Sequence, residues 1–273
     1  MISKAKIKFI RSLEQKKYRR TERLFVAEGP KVVSDIMKVV TPVIVVATSD
    51  WINSHRDSLS DATELYEVDH DTLCKVSFLQ HPQHVIAVFP QESLVPPQVM
   101  FDTTALSLAL DGVQDPGNLG TIIRIADWFG IKNIYCSLDT ADVWNPKVVQ
   151  ATMGSIARVA VRYQPLTELL DTLPPDFPIY GTMLDGDDIS ETKFNSCGII
   201  VMGNEGNGIS PDIAQRLNHR VLIPNFPKGE PTADSLNVAI ATAITCFVAR
   251  NGFHDNVLRA TGRSSPWLQV FVS

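Results

Sequence analysis

Gly203-Asn204-Glu205-Gly206-Asn207-Gly208 follows directly on the apolar run Cys197–Met202 and is succeeded by Ser210-Pro211-Asp212. Ser is a favoured N-cap, Pro suits the first helical position, and Asp complements the positive end of a helix. The stretch therefore reads as strand, glycine loop, helix. Glycines permit positive φ and a close approach of backbone to a ligand. An ordinary strand-to-helix turn of an α/β sheet carries the same signature, so the loop alone leaves both readings open. Beyond the helix come Ile223-Pro224 and then Ser235-Leu236-Asn237-Val238-Ala239.

Toward the N-terminus, Asn118-Leu119-Gly120 is followed by Arg124, Ala126 and Gly130. Ile122, Ile125, Ala126 and Phe129 share one face of a helix over 118–129. Strands are expected at 106–110, 134–137, 179–182 and 198–202, and a helix at 145–156. A long apolar helix at 236–248 is expected to be buried on most of its surface. This alternation implies an α/β fold with a parallel sheet and helices on both faces. Residues 94–104, which include Pro96 and Pro97, read as a linker. Toward the C-terminus the pattern stops near Gly252, and 253–273 reads as a tail without a clear role.

A second alternation precedes the linker, over residues 1–93. Residues 3–20 have helical periodicity, with Ile7, Ile10 and Leu13 facing inward and the basic residues outward. A short strand, 24–28, ends at Gly29. A helix over 31–40, a β-branched strand at 43–47, a short helix at 69–76 and a strand at 85–89 complete a small α/β/α domain.

The chain has 273 residues, enough to bury a sizeable core. No apolar run reaches membrane-spanning length, and no apolar signal core follows the basic N-terminus. The four cysteines are scattered singly, and neither they nor the six histidines show metal-site spacing. A reduced, metal-free, cytoplasmic protein is expected. The net charge of −5 excludes a uniformly basic nucleic-acid binder. Its distribution is uneven. Residues 1–24 hold nine Lys or Arg against two Glu, a net +7 that leaves −12 for the remainder. Such asymmetry marks either a phosphate-binding arm or a solvated helix face.

Three blocks in order resemble the SpoU (TrmH) family of RNA ribose methyltransferases, within the SPOUT superfamily. They are Asn118-x-Gly120-x-x-x-Arg124-x-Ala126-x-x-x-Gly130, Gly203-Asn204-Glu205-Gly206-x-Gly208, and Ile223-Pro224 with Ser235-Leu236-Asn237-Val238-Ala239. Asn145-Pro146-Lys147 and Met153-Gly154-Ser155 are also similar to the family, although Gln150 stands where a basic residue is frequent. The resemblance implies a SPOUT domain over 105–252 with a deep trefoil knot that binds S-adenosylmethionine, and a homodimer paired through the knots. It implies transfer of a methyl group to a ribose 2′-hydroxyl of rRNA or tRNA. It assigns catalytic roles to Asn118, Arg124, Glu205, Ser235 and Asn237, and cofactor contacts to Met202, Gly203, Asn204, Gly208, Ile223 and Leu236. RNA contacts are expected from Lys16, Lys17, Arg19, Arg20 and Lys147. Phe25–Gly29 and His81–Val85 resemble an L30e-like RNA-binding domain over 1–93, with His84 where Gly is usual. The chain also carries a longer loop, 225–234, than compact family members.

Methyl transfer needs the methyl in line with the oxygen, a lost hydroxyl proton and a clamped phosphate. Arg124 points off the apolar helix face, where the plain alternative is an ion pair with Asp127 at i+3. Arginine is a poor base, its pKa lying above ~12. A role through the RNA phosphate is what the resemblance implies. Two other functions compete. A non-catalytic RNA-binding protein with a relic cofactor fold would not need Arg124, Glu205, Ser235 and Asn237 intact. A dinucleotide-dependent enzyme would carry G-x-G-x-x-G after its first strand, whereas these glycines are spaced G-x-x-G-x-G and lie late in the chain.

Overall fold

The computed structural model describes residues 2–94, 101–227 and 232–261, with the final ten as backbone only. Parts of the expected linker (95–100), of the long loop (228–231) and of the tail (262–273) lie outside the described residues. The chain divides into two compact units. One comprises Met1–Met100, Gln114–Asp127 and Ala141–Arg162, and the other Phe101–Val113, Trp128–Thr140 and Tyr163–Ser273.

The first unit holds a four-stranded sheet of β1 (Leu24–Glu28), β2 (Ile44–Ala47), β3 (Glu64–Glu67) and β4 (Val85–Pro90), ordered β1-β4-β2-β3. β4 runs antiparallel to both β1 and β2, whereas β2 and β3 are parallel. The expected helix over 3–20 is two helices, α1 (Lys4–Ser12) and α2 (Lys16–Glu22). Ile10 and Leu13 are fully buried with Val26, Val46, Leu73 and Val88, and Ile7 packs at the margin of that cluster. The remaining helices of this sheet domain are α3 (Pro30–Met37), α4 (Ser49–His55) and α5 (His70–Val76). Asp69 caps α5 by accepting from the Thr72 N–H at 2.8 Å. β3 has no signal in the sequence because Glu-Leu-Tyr-Glu on a sheet edge is mostly solvent-facing. His84 takes φ +49°, a left-handed conformation. That backbone is why glycine is the natural residue there.

Two further helices belong to this unit: α6 (Pro116–Trp128), as far as Asp127, and α7 (Pro146–Ala151). They meet at Gly120, where an added Cβ would stand 2.5 Å from the Ala151 Cβ and 2.7 Å from the Val148 carbonyl. No side chain fits that crossing.

The second unit is built on the strands β5 (Leu106–Leu110), β6 (Asn133–Cys136), β8 (Ile179–Asp188), β9 (Gly198–Met202) and β10 (His219–Leu222), in the order β10-β8-β9-β5-β6. β7 (Ala160–Tyr163) lies where the chain passes from the first unit to the second. The pairings from β10 across to β6 are parallel. β5 and β9 are buried at every position, which marks strands covered on both faces. α8 (Leu166–Asp171) and α9 (Pro211–Ala214) pack on a core of Ala109, Tyr135, Ile199 and Val201. The last helix, α10 (Val238–Thr261), corrects one expectation. It continues through 253–261, which the sequence reading gives to a tail. It is also two-faced: Val238, Thr242, Thr245, Cys246 and Ala249 are buried, while Ile240 and Phe247 are 53% and 56% exposed.

Candidate active site

The glycine loop at the end of β9 is closed on itself. Asn204 N–H donates to Gly208 O, and Gly208 N–H to Asn204 O, both at 2.9 Å. The Asn204 side chain knits the interior. Its Oδ1 accepts from the N–H groups of Gly206 (2.9 Å) and Asn207 (3.0 Å), and its Nδ2 donates to Gly112 O at 2.7 Å. The glycines are required by geometry at two places. A Cβ on Gly203 would stand 2.3 Å from the Gly208 carbonyl carbon, and Gly208 has φ +70°. The loop is anchored a second time beyond its end, where Ser210 N–H donates to Asp111 Oδ2 at 2.7 Å. Ser210 does stand at the N-cap of α9, but its side chain makes no capping bond.

This loop walls one side of a cavity of about 440 Å³. Sites for small ligands span about 300–1,000 Å³. All six expected cofactor-contact residues line it: Met202, Gly203, Asn204 and Gly208 from β9 and its loop, and Ile223 and Leu236 from the segments after β10. Glu205 and Ser235 line it as well. The second and third blocks of the sequence, separated along the chain, thus converge on one space. Asn237 stands at the N-terminus of α10 instead. Its Oδ1 accepts from Ala239 N–H at 3.0 Å and Ile240 N–H at 3.3 Å, which is a capping geometry. Among the lining residues that sequence reasoning missed are Thr182, Leu184 and Asp234. The expected strand stops at Thr182, since Asp185-Gly186-Asp187-Asp188 looks like a turn, yet β8 runs through it.

The first block belongs to the other unit. Asn118 is half-buried and its N–H donates to Asp115 Oδ1 at 2.8 Å. Arg124 is exposed on α6 and makes no hydrogen bond or ion pair among the described residues. The alternative partner is taken: Asp127 binds Arg158, whose Nε donates at 2.8 Å and whose terminal nitrogen lies at 2.7 Å. Among the basic residues, Lys16, Lys17, Arg20 and Lys147 are exposed. Arg19 is a correction. It is only 2% exposed, donates to Leu13 O and Glu14 O at 2.9 and 2.5 Å, and pairs with Asp142 at 2.6 Å. A buried guanidinium already committed to a carboxylate has nothing to offer an RNA phosphate.

The two buried cysteines offer no alternative chemistry. Burial pushes the Cys246 thiol up to about 12 and raises Cys136 further, so neither forms a thiolate near neutrality. Among the described residues no group of His, Cys, Asp and Glu could hold a metal ion, and no helix is long and apolar enough to cross a membrane.

Comparison with known proteins agrees with this geometry. Residues 105–247 match the model of the SpoU rRNA Methylase family, and residues 4–87 match the MRM3-like substrate binding domain. The 23S rRNA (guanosine(2553)-2′-O)-methyltransferase of Bacillus subtilis is 30% identical over 249 residues, 90% of this chain and 96% of that protein. The AdoMet-bound rRNA methyltransferase of Sinorhizobium meliloti superposes with a TM-score of 0.81 at 30% identity, covering 92% of this chain and 97% of that one. A TrmH-family protein of Porphyromonas gingivalis gives 0.79 at 39% identity, covering 92% and 99%.

Proposed function

Because the chain belongs to the SpoU rRNA methylase family, we propose that it transfers the methyl group of S-adenosylmethionine to a ribose 2′-hydroxyl of ribosomal RNA. The observation that carries this reading is the cavity walled jointly by Gly203–Gly208, Ile223 and Leu236. Its lining fits the cofactor chemically: Met202, Leu222, Ile223 and Leu236 offer apolar contact for an adenine, and Glu205 and Asp234 offer carboxylates to a cationic group. When bound, S-adenosylmethionine supplies an electrophilic methyl on a positively charged sulfur.

In this reading the loop backbone orients the cofactor. Arg124, exposed and uncommitted among the described residues, holds the RNA phosphate and the reacting ribose. It acts through charge and position, since a guanidinium does not serve as a base near neutrality. Glu205 and Ser235 shape the site, Asn118 orients RNA or loop by its amide, and Asn237 acts from the start of α10. Lys16, Lys17, Arg20 and Lys147 supply the phosphate-neutralising surface. A trefoil knot in the C-terminal domain, the expected threading for the family, belongs to the same reading, as does a cytoplasmic location. It is consistent with the bacterial relative's action on ribosomal RNA.

The working form is a homodimer. Ile240 and Phe247 lie about two turns apart on a single exposed face of α10, with half-buried Ile244 between them, and Trp128 is 85% exposed. Apolar surface of this kind marks an interface, and a second copy related by a two-fold axis covers it. Light scattering at low micromolar concentration should give twice the mass of the 30.2 kDa chain. A monomer with full activity would refute the dimer.

The test of the activity uses tritiated S-adenosylmethionine and unmodified ribosomal RNA. After alkaline hydrolysis the label should sit in an uncleaved dinucleotide, because a 2′-O-methyl group blocks cleavage at that ribose. Label recovered in mononucleotides would mean base methylation and would overturn the reading.

A further inference from the structure

Two buried carboxylates in the first unit are treated very differently. Asp35 is surrounded by cations: Lys31 at 2.5 Å, Lys38 at 2.7 Å and Arg158 at 3.7 Å. Their hydrogen bonds and charges hold its carboxyl below the usual range in spite of desolvation, the largest single influence on it. Glu28, at the end of β1, is 4% exposed and has no cation within ion-pair distance among the described residues. Its oxygens accept one bond each, from the Ser77 hydroxyl and from the Phe78 N–H at 2.8 Å. Arg11, a weaker charge influence on it, turns its Nη1 to the Ser77 and Lys75 carbonyls. Desolvation prevails, and the Glu28 carboxyl is raised above its ordinary value.

A buried acid without a counter-ion is costly and needs an explanation. Glu28 lines a second cavity, of about 500 Å³, lying entirely within this unit. Val26 and Phe78 give the cavity apolar and aromatic wall, Met153 forms part of its side, and Asn145 and exposed Lys147 bring an amide and a cation. A carboxylate has about four lone-pair positions, so two remain after Ser77 and Phe78. Asn145 uses its Oδ1 to accept from Lys147 N–H at 2.9 Å. Its Nδ2 has no partner among the described residues.

We propose that this cavity is a guanine-recognition subsite for an unstacked base of the substrate RNA. Guanine alone among the four bases presents two adjacent N–H donors, N1–H and N2–H, beside a carbonyl acceptor, O6. The Glu28 carboxylate accepts the donor pair, and the Asn145 amide donates to O6. Phe78 supplies an aromatic wall of the type that receives splayed-out RNA bases. Lys147 neutralises a neighbouring phosphate. The inference rests on RNA being the substrate, and it extends that reading by assigning a base preference to a site separate from the glycine-loop cavity.

The test uses the full chain carrying 13C-methyl methionine, with the Met153 resonance assigned from Met153→Leu. The probes are a uridine heptamer, the same heptamer with one central guanosine, and free 5′-GMP. The guanosine oligomer should shift the Met153 signal and bind about tenfold more tightly than the all-uridine one, the usual scale for one well-read base. Glu28→Gln should abolish that preference. Met153→Trp, which fills the cavity from its exposed wall, should do the same without touching Glu28, with thermal stability and S-adenosylmethionine affinity unchanged. Equal binding of the two oligomers to the wild type, or a preference surviving in both variants, would overturn the assignment. GMP binding as tightly as the oligomer would overturn it in favour of a free-nucleotide site. Absence of S-adenosylmethionine binding with the guanosine preference intact would instead refute the methyltransferase reading.

Discussion

Replacing Asn204 by alanine isolates what the glycine loop contributes. The side chain makes three hydrogen bonds, to Gly206 N, Asn207 N and Gly112 O. A net value of about 1 kcal/mol each gives about 3 kcal/mol as an upper bound. Gly206 and Asn207 are exposed, so water replaces part of what they lose, and about 1–2 kcal/mol of loop order is a better expectation. If that order is what presents the backbone to S-adenosylmethionine, the cofactor Kd should rise by roughly 5–30-fold, at 1.4 kcal/mol per decade. Calorimetric titration reads this directly. The melting temperature should move little, because the lost bonds are local to one loop beyond the end of β9, and the core of the sheet is untouched. Asn204→Asp sharpens the test. It keeps the two accepted bonds but sets an anionic oxygen against the Gly112 carbonyl, so it should impair binding at least as much as alanine. An unchanged Kd in both variants would refute the claim that Asn204 acts by preorganising the loop.

Arg124→Ala should lower turnover by at least about 100-fold, the scale of a lost positioning group, while leaving S-adenosylmethionine affinity within a few fold; near-wild-type turnover in single-turnover assays would remove Arg124 from the chemistry. The combined change of Lys16, Lys17 and Arg20 to alanine should flatten the slope of log affinity for RNA against log salt by about 2–3, since each phosphate contact contributes about 0.7–0.9. Filter binding over a salt series measures it, and an unaltered slope would return these residues to a solvated helix face. Arg19→Met should behave in the opposite way. It strands the Asp142 carboxylate, itself only 15% exposed, and should cost about 3–5 kcal/mol of stability, seen as a lower denaturation midpoint, with no loss of salt slope beyond that of the wild type.

Much of this structure was legible in the residues, and the failures have physical causes. Strands β5 and β9 are continuous apolar runs buried at every position, so their hydrophobicity alone located them. Gly203 and Gly208 were found because their backbone geometry admits no other residue comfortably. β3 escaped because an edge strand with glutamates at both ends looks like a surface turn, and the far half of β8 escaped because Asp185–Asp188 is acidic and only partly buried. Arg19 was misread for a related reason. In a run of five Lys and Arg between 16 and 23, periodicity does not say which one turns inward. The carboxylate that draws it in, Asp142, lies more than a hundred residues along the chain. The two faces of α10 were not separable in the sequence, because its composition is apolar all round and composition alone does not say which apolar residues are buried.

The same limit of local reasoning operates at Arg124, with the opposite sign. Spacing alone pairs it with Asp127 at i+3, a contact worth a few tenths of a kcal/mol. In the folded chain, Asp127 is bound by Arg158 through two nitrogens at 2.7 and 2.8 Å. Arg158 is itself held from its other side by Asp35 at 3.7 Å and by the Ser155 hydroxyl at 3.4 Å. Asp127 raises the affinity of the Arg158 guanidinium for its proton further, chiefly through the hydrogen bond between them. A weak helical pairing thus loses to a charge-assisted one, in which two nitrogens of Arg158 converge on Asp127 Oδ2 and a buried aspartate braces the guanidinium. On the proposed mechanism, this leaves the Arg124 charge available to a ligand, because a different arginine has taken the acid at i+3.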